Sequence, residues 1–154
     1  MDDKEKQKLK NYVLWLLSRQ EYSRRDLTFK LQQKGASADF IASLLDWCEH
    51  HSFIDEKRYC ESFIRRHLAK LHGLKRIQAE AAGKGIERTL LETTLDEMEI
   101  DWYQQAQAAY NRKFSGITGN LEFKEKAKIL RYLMYRGFNH EQIEFAMQTE
   151  PSDE

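Results

Sequence analysis

Basic side chains grouped in the middle of this sequence are the residues best suited to bind a ligand. Residues 56–90 contain nine Lys or Arg but four Asp or Glu, whereas the whole chain of 154 residues contains 25 of each. Guanidinium and ammonium groups bind phosphate oxygens and acidic protein surfaces. With their counterparts nearer the N-terminus, the candidates are Arg24, Arg25, Lys30, Lys34, Arg65, Arg66, Lys70, Lys75, Arg76, Lys84 and Arg88. We call this set the basic stripe; the alternative is a solvated surface with ion pairs such as Glu80 with Lys84.

The zero net charge of the chain does not exclude a nucleic-acid partner, because it sums unlike blocks. Residues 91–101 carry five carboxylates and no basic side chain, and the tail at 150–154 is acidic. The basic middle of the chain is balanced by these segments rather than neutral in itself.

Metal binding and catalysis find little support in the sequence. Cys48, His50, His51 and Cys60 are ligand types within thirteen residues, but their spacing matches no standard zinc finger or ribbon. We therefore expect buried apolar cysteines and no metal. The sequence holds no phosphate-binding loop, nucleophile elbow or metalloprotease helix motif, so we expect neither an enzyme nor a cofactor.

Other aromatic and histidine residues are expected to have ordinary roles. Trp15, Trp47, Trp102 and Tyr110 lie on or beside apolar helix faces and are expected in the core. Phe29, Tyr132 and Tyr135 lie off those faces, where they could contact a partner. His67, His72 and His140 are isolated in the sequence, and we expect them at the surface.

Helices must position all of these side chains. Leu9, Tyr12, Val13, Leu16 and Leu17 recur at the 3.6-residue period, and similar faces follow along the chain with no strand-like alternation. Predicted helix starts are Ser23 with Asp26, Ser37, Asp55, and Asn139 with Gln142. The single proline, Pro151, lies outside every predicted helix.

Three glycines mark a tandem repeat. Gly35, Gly85 and Gly137 are 50 and 52 residues apart, and like residues stand eight and four positions before and six and ten positions after each. We interpret them as helix stops in the left-handed conformation, which glycine adopts without steric cost. The repeat predicts an all-α, elongated tandem array of three three-helix repeats, about nine helices, over 1–54, 55–99 and 100–149.

Two longer stretches carry a resemblance to a known family. Residues 55–66, 72–77 and 83–86 resemble the central signature of the RecX family of RecA regulators, and residues 126–138 resemble its C-terminal motif ending in Arg-Gly-Phe. The resemblance covers about residues 8–148. It departs at Leu74, where members often have Pro, and at Ala81, where they often have Leu; we expect the helix containing Ala81 to be the softest.

The resemblance implies a non-catalytic protein that binds the RecA filament on DNA. It would alter filament assembly, ATP hydrolysis and strand exchange in recombination, DNA repair and the SOS response, most often by inhibition. The basic stripe would contact RecA and DNA, single-stranded or duplex, weakly or only within the filament.

Two other functions remain open from the residues alone. A generic helical-repeat scaffold would bind an unrelated protein, and a stand-alone DNA-binding protein would use helix pairs as helix-turn-helix units. In every case we expect a monomer. We also expect it in the cytoplasm without membrane contact, since residues 1–10 are charged and polar and no apolar run approaches about 18 residues.

Overall fold

The computed structural model describes residues 1–115 and 122–148. Within those residues the backbone forms nine α-helices and no strand, which confirms the predicted all-α class. The helices are α1 (Asp3–Arg19), α2 (Arg24–Gln33), α3 (Ala38–His50), α4 (Glu56–Ala69), α5 (Leu74–Gly83), α6 (Arg88–Met98), α7 (Trp102–Phe114), α8 (Phe123–Tyr135) and α9 (His140–Gln148). None of them has the length and apolarity needed to cross a bilayer. The predicted acidic tail at 150–154 lies outside the described residues.

The predicted capping residues begin their helices. Ser23, Ser37 and Asp55 each accept a hydrogen bond from the backbone N–H three residues later, at 3.0, 3.3 and 2.9 Å. Asn139 and Gln142 form the predicted reciprocal capping box, with N···O distances of 2.9 and 3.0 Å. These side chains satisfy N–H groups that have no partner within the helix.

The three repeat glycines end their helices in the same way. Gly35, Gly85 and Gly137 have φ values of +81°, +76° and +107°. The residue after each glycine donates its amide to the carbonyl five positions earlier, at 3.1, 3.0 and 3.1 Å, and the glycine amide bonds three positions back. This pair of bonds is the Schellman motif, which requires a left-handed residue and so confirms the predicted stops.

Contacts divide the chain into two compact units, Met1–Ser62 and Phe63–Glu154, with the division inside α4. In the first unit, apolar faces of α1, α2 and α3 meet in one buried cluster. Its members are Val13, Leu16, Leu27, Leu31, Ile41, Leu44, Leu45, Cys48 and Ile54. The helical periodicity of the sequence therefore identifies this core.

The second unit contains α5 to α9 and the end of α4, and its main buried cluster joins α7, α8 and α9. Ala106 and Ala109 on α7 and Ala146 on α9 are buried there beside Phe138. Small side chains allow α7 and α9 to approach closely, because the separation of packed helices depends on the residues between them. This packing fixes the ends of α7 and α8 near the turn that follows α4.

Candidate basic interface

The predicted basic residues of the first unit lie on or just after α2, and one of them is already balanced. Nη1 of Arg24 lies 2.8 Å from a carboxylate oxygen of Asp46 and 3.2 Å from one of Glu49. Its Nη2 donates to the carbonyl oxygen of Ala42 at 3.3 Å. A guanidinium held by two carboxylates carries little net charge toward a phosphate, so Arg24 mainly joins α2 to α3.

The other basic residues of α2 keep their charges near the surface. Arg25 is exposed, and Nζ of Lys30 and Lys34 lies 5.8 and 5.0 Å from the ring centroids of Tyr22 and Tyr12. A cation over an aromatic ring is held in place without being neutralised. Lys30 and Lys34 are therefore positioned cations.

In the second unit, the basic stripe runs from the end of α4 to α5. Arg65 and Arg66 are exposed on α4, Lys70 directly follows that helix, and Lys75 is exposed in the first turn of α5. Four exposed cations thus lie within eleven residues of chain. Residues 65–75, from the end of α4 to the start of α5, are therefore the most basic part of the stripe.

Arg76 of the basic stripe forms an ion pair within α5. Its Nε lies 3.0 Å from Glu80 Oε1, and its guanidinium is 5.0 Å from the ring of Tyr135. Glu80 thus pairs with Arg76 and not with Lys84, the pair named for the solvated alternative, although Lys84 is the C-cap of α5. Glu80 turns instead toward the start of its helix.

The end of the stripe is solvent-exposed. Arg88 Nε lies 3.0 Å from Glu92 Oε1 on α6, and the Arg88 side chain is 91% exposed. Such a pair contributes little to stability and breaks easily when a stronger anion arrives. Lys84, at the C-cap of α5, is exposed as well.

Backbone groups join the start of α5 to the end of α8. The amide of Gly73 donates to the carbonyl of Arg136 at 2.7 Å, and the amide of Lys75 donates to that of Gly137 at 3.1 Å. Nη2 of Arg136 donates to the carbonyl oxygen of Lys70. A Cβ on Gly73 would stand 2.5 Å from the Gly137 backbone, so the close approach requires glycine. We call this contact the α5–α8 junction.

A buried histidine pair lies beside the junction, so the expectation that His67 and His72 are surface residues is wrong. Their side chains are 8% or less exposed, with Nδ1 to Nδ1 at 2.7 Å, and His67 Nε2 lies 3.1 Å from Glu80 Oε2. The Glu80 carboxylate fixes a proton on His67 Nε2, which leaves His67 Nδ1 to accept from His72. His140 is exposed as expected.

Both histidines are held in the neutral form. Burial lowers the pKa of His67. Burial, together with the charges of Arg76 and Arg136, lowers the pKa of His72 to about 4. A further proton on His67 Nδ1 would place two N–H groups against each other at hydrogen-bond distance, so this bond requires a neutral His67.

Comparison with known proteins decides the family. RecX sequence models match residues 10–48, 55–95 and 99–147, described as the first, second and third three-helix domains. The Regulatory protein RecX of Vibrio vulnificus (strain CMCP6) is 37% identical over 141 residues, 92% of each chain. The chain belongs to the RecX family. The resemblance drawn from the signature residues is thereby confirmed.

Further RecX proteins share sequence or fold. That of Vibrio parahaemolyticus serotype O3:K6 (strain RIMD 2210633) is 35% identical over 94% of this chain and 92% of its own. The crystal structure of RecX from Lactobacillus salivarius superimposes with a TM-score of 0.72 at 22% identity, covering 94% and 96% of the two chains. Another, titled regulatory protein RecX, gives 0.76 at 20% identity over 97% and 80%. These structures share the fold.

The two RecX signatures that look separate in the sequence meet in the structure. His72-Gly73 belongs to the central signature, and Arg136-Gly137-Phe138 closes the C-terminal motif. Both sets of backbone groups form the α5–α8 junction. Arg136 is absent from the predicted stripe, although Lys34 and Lys84 precede their stop glycines in the same way, because the stripe comprises residues of the first two repeats only.

The cysteines and aromatic residues give mixed outcomes. Cys48 and Cys60 are buried and are not joined in a disulfide, and burial raises the pKa of Cys48. Across residues 1–115 and 122–148, no three metal-ligating side chains come together.

Trp15 is 54% exposed, so its expected core position is wrong; it lies at the edge of the apolar face of α1. Phe29 and Tyr135 are exposed.

Proposed function

We propose that this protein binds RecA filaments on DNA and inhibits their assembly, ATP hydrolysis and strand exchange. The observation that carries the proposal is membership of the RecX family along nearly the whole chain, with relatives named Regulatory protein RecX. The protein would act in the cytoplasm as a monomer, by binding and without a catalytic step of its own.

The exposed cations of α4 and α5 supply the contact to the filament. A RecA–DNA filament presents phosphates along its length, and cations that displace the counterions of those phosphates gain affinity. Six stripe residues of the middle repeat have exposed side chains, Arg65, Arg66 and Lys75 among them, against two in the first repeat. The binding energy is therefore assigned to the middle repeat more than to the first.

RecA-dependent ATP hydrolysis on single-stranded DNA tests the function. Adding the protein below or near the RecA concentration should lower the hydrolysis rate, and the protein alone should hydrolyse no ATP. An unchanged rate at a twofold excess would support the scaffold alternative. Sequence-preferring duplex binding without RecA would support the stand-alone DNA-binding alternative.

Two charge-reversal variants test whether the exposed cations of α4 and α5 bind the filament. Arg65→Glu/Arg66→Glu/Lys75→Glu should weaken filament binding, most strongly at low salt, because screening reduces the contribution of exposed charges. Arg76 is left intact because it pairs with Glu80. The matched control is Lys124→Glu/Lys126→Glu/Lys128→Glu, three exposed residues of α8 with the same change in charge. Equal losses in both variants across a salt series would contradict the assignment to α4 and α5.

A further inference from the structure

A cavity of about 400 Å³ lies in the second unit where α4, α7 and α8 end. The side chains that give it its character are Lys70, His72, Arg112, Lys113, Tyr132 and Arg136, and the rest of its lining is apolar. Four of these side chains are cationic and none is acidic. The basic stripe contributes only Lys70, so the cavity is a separate concentration of positive charge.

Arg136 is held in place at the wall of this cavity. Its Nη2 donates to the carbonyl of Lys70, and its guanidinium lies 5.8 Å from the ring of Tyr132. Lys113 approaches the same ring, with its Nζ 5.4 Å from the centroid. Nε of Arg136 is buried and has no hydrogen-bond partner. Within residues 1–115 and 122–148 the guanidinium is thus fixed without a carboxylate to balance it.

The negative C-terminal ends of the helices do not balance the positive charge of this cavity. Each helix C-terminus is equivalent to about −0.5 elementary charge. The three ends at the cavity therefore supply about −1.5 against four cations, leaving an excess of roughly +2.5. That excess favours an anion of more than one oxygen, since arginine and lysine side chains recognise such groups by charge-assisted hydrogen bonds.

The size of the cavity selects among anions. A volume of about 400 Å³ falls in the range of sites that hold whole small molecules, and a bare phosphate ion fills only a small part of it. We propose that this cavity binds a phosphodiester of a nucleic-acid strand, with room for the attached nucleoside. The inference deepens the proposed function and rests on it for the source of the strand.

Side-chain NMR of the intact protein tests the site directly. The Nε–H signals of Arg112 and Arg136 are followed while a tetramer of thymidylate is added. A saturable shift of both signals is expected, with no such shift from the uncharged methylphosphonate tetramer. No saturable shift, or equal shifts from both tetramers, would overturn the proposal. Saturation by inorganic phosphate but not by the tetramer would overturn the nucleic-acid ligand.

Paired variants give a second measurement. Arg112→Ala/Lys113→Ala removes two exposed cations of the cavity, and Lys124→Ala/Lys128→Ala removes two exposed cations elsewhere in the same unit. The first variant should lose about tenfold in affinity for a labelled thymidylate 15-mer, as expected for lost charged hydrogen bonds. The factor by which the second variant loses affinity should be less than half of this. Equal losses of affinity in both variants would refute a local site.

The outcome separates the site from the function. If Arg112→Ala/Lys113→Ala binds the 15-mer normally yet still inhibits RecA, the cavity assignment fails while the proposed function stands. If the wild-type protein leaves RecA unaffected but shows the saturable shifts, the proposed function fails while the phosphodiester site stands.

Discussion

Gly35 and Gly137 occupy the same place in their repeats but have different surroundings. Both follow a helix, both are left-handed, and the amide after each bonds to the carbonyl five positions back at 3.1 Å. A Cβ added to Gly35 would meet nothing within 4 Å. A Cβ added to Gly137 would stand 2.6 Å from the backbone nitrogen of Arg76.

The difference shows that one repeat position can serve two purposes. The helix stop recurs in every repeat, so the periodicity of the sequence reveals it. The close contact of Gly137 with Gly73 and Arg76 occurs in the second unit only, where α5 begins against the end of α8. Such a contact has no period and no sequence signal of its own.

Gly137→Ala should have the largest effect on stability. Alanine pays about 1–2 kcal/mol for the left-handed conformation. Its Cβ also overlaps two backbone segments that cannot rotate away, and overpacking of this kind costs about 1–3 kcal/mol. We expect a loss of about 4 kcal/mol in the free energy of unfolding, measured by urea denaturation. A loss of 1 kcal/mol or less would mean that the α5–α8 junction opens at little cost.

Gly73→Ala tests the close contact with Gly137 without the cost of a left-handed backbone. The φ of Gly73 is −93°, which alanine adopts freely, but its Cβ would stand 2.5 Å from the Gly137 carbonyl carbon. We expect a loss of about 3 kcal/mol from overpacking alone. Hydrogen exchange should show lost protection of the Lys75 amide, which donates to Gly137. Normal protection in a destabilised variant would place the damage elsewhere.

Acid should weaken the second unit and spare the first. The pKa of His72 is lowered from 6.5 to about 4 by burial and by nearby arginines, so the unfolded chain binds a proton that the folded chain excludes. The free energy of unfolding is therefore highest above pH 6.5 and decreases as the pH falls toward 4. Between pH 7 and pH 5 the loss from His72 is about 2 kcal/mol, at about 1.4 kcal/mol per pKa unit.

Two variants check the source of this pH dependence. His67→Asn/His72→Asn should flatten the change between pH 7 and pH 5, and His140→Asn, at an exposed site, should leave it intact. The Gly73 amide reports on the junction by hydrogen exchange at each pH, and the Gly35 amide serves as the reference in the first unit. Equal acid sensitivity of the two amides would contradict a local effect of the histidine pair.

Most of the fold could be predicted because its signals are local. Ser23, Ser37 and Asn139 act through hydrogen bonds three residues away, and Gly35 acts through its own backbone. These helix starts and stops are therefore readable in a window of a few residues. The predicted repeat boundaries at 54 and 99 remain predictions.

The candidate site was harder to predict because its contacts join distant residues. Lys70 and Arg136 are 66 positions apart, yet the Arg136 side chain bonds to the Lys70 carbonyl. His67 and His72 look isolated in the sequence because α4 ends between them, and the left-handed Leu71 turns His72 back toward His67. Charge counting finds the exposed cations of the middle repeat, but it cannot find a pairing made by tertiary packing.

Gly35→Ala should have the smallest effect, because only the backbone conformation opposes it. The left-handed cost of about 1–2 kcal/mol is partly offset by the reduced entropy of the unfolded chain, leaving a loss of about 1 kcal/mol. Asparagine tolerates the left-handed region, so Gly35→Asn should recover most of that loss. Gly137→Asn should recover little of the Gly137→Ala loss, because its Cβ meets the same backbone atoms. Urea denaturation of the four variants therefore measures the conformational cost at one glycine and the added cost of close packing at the other.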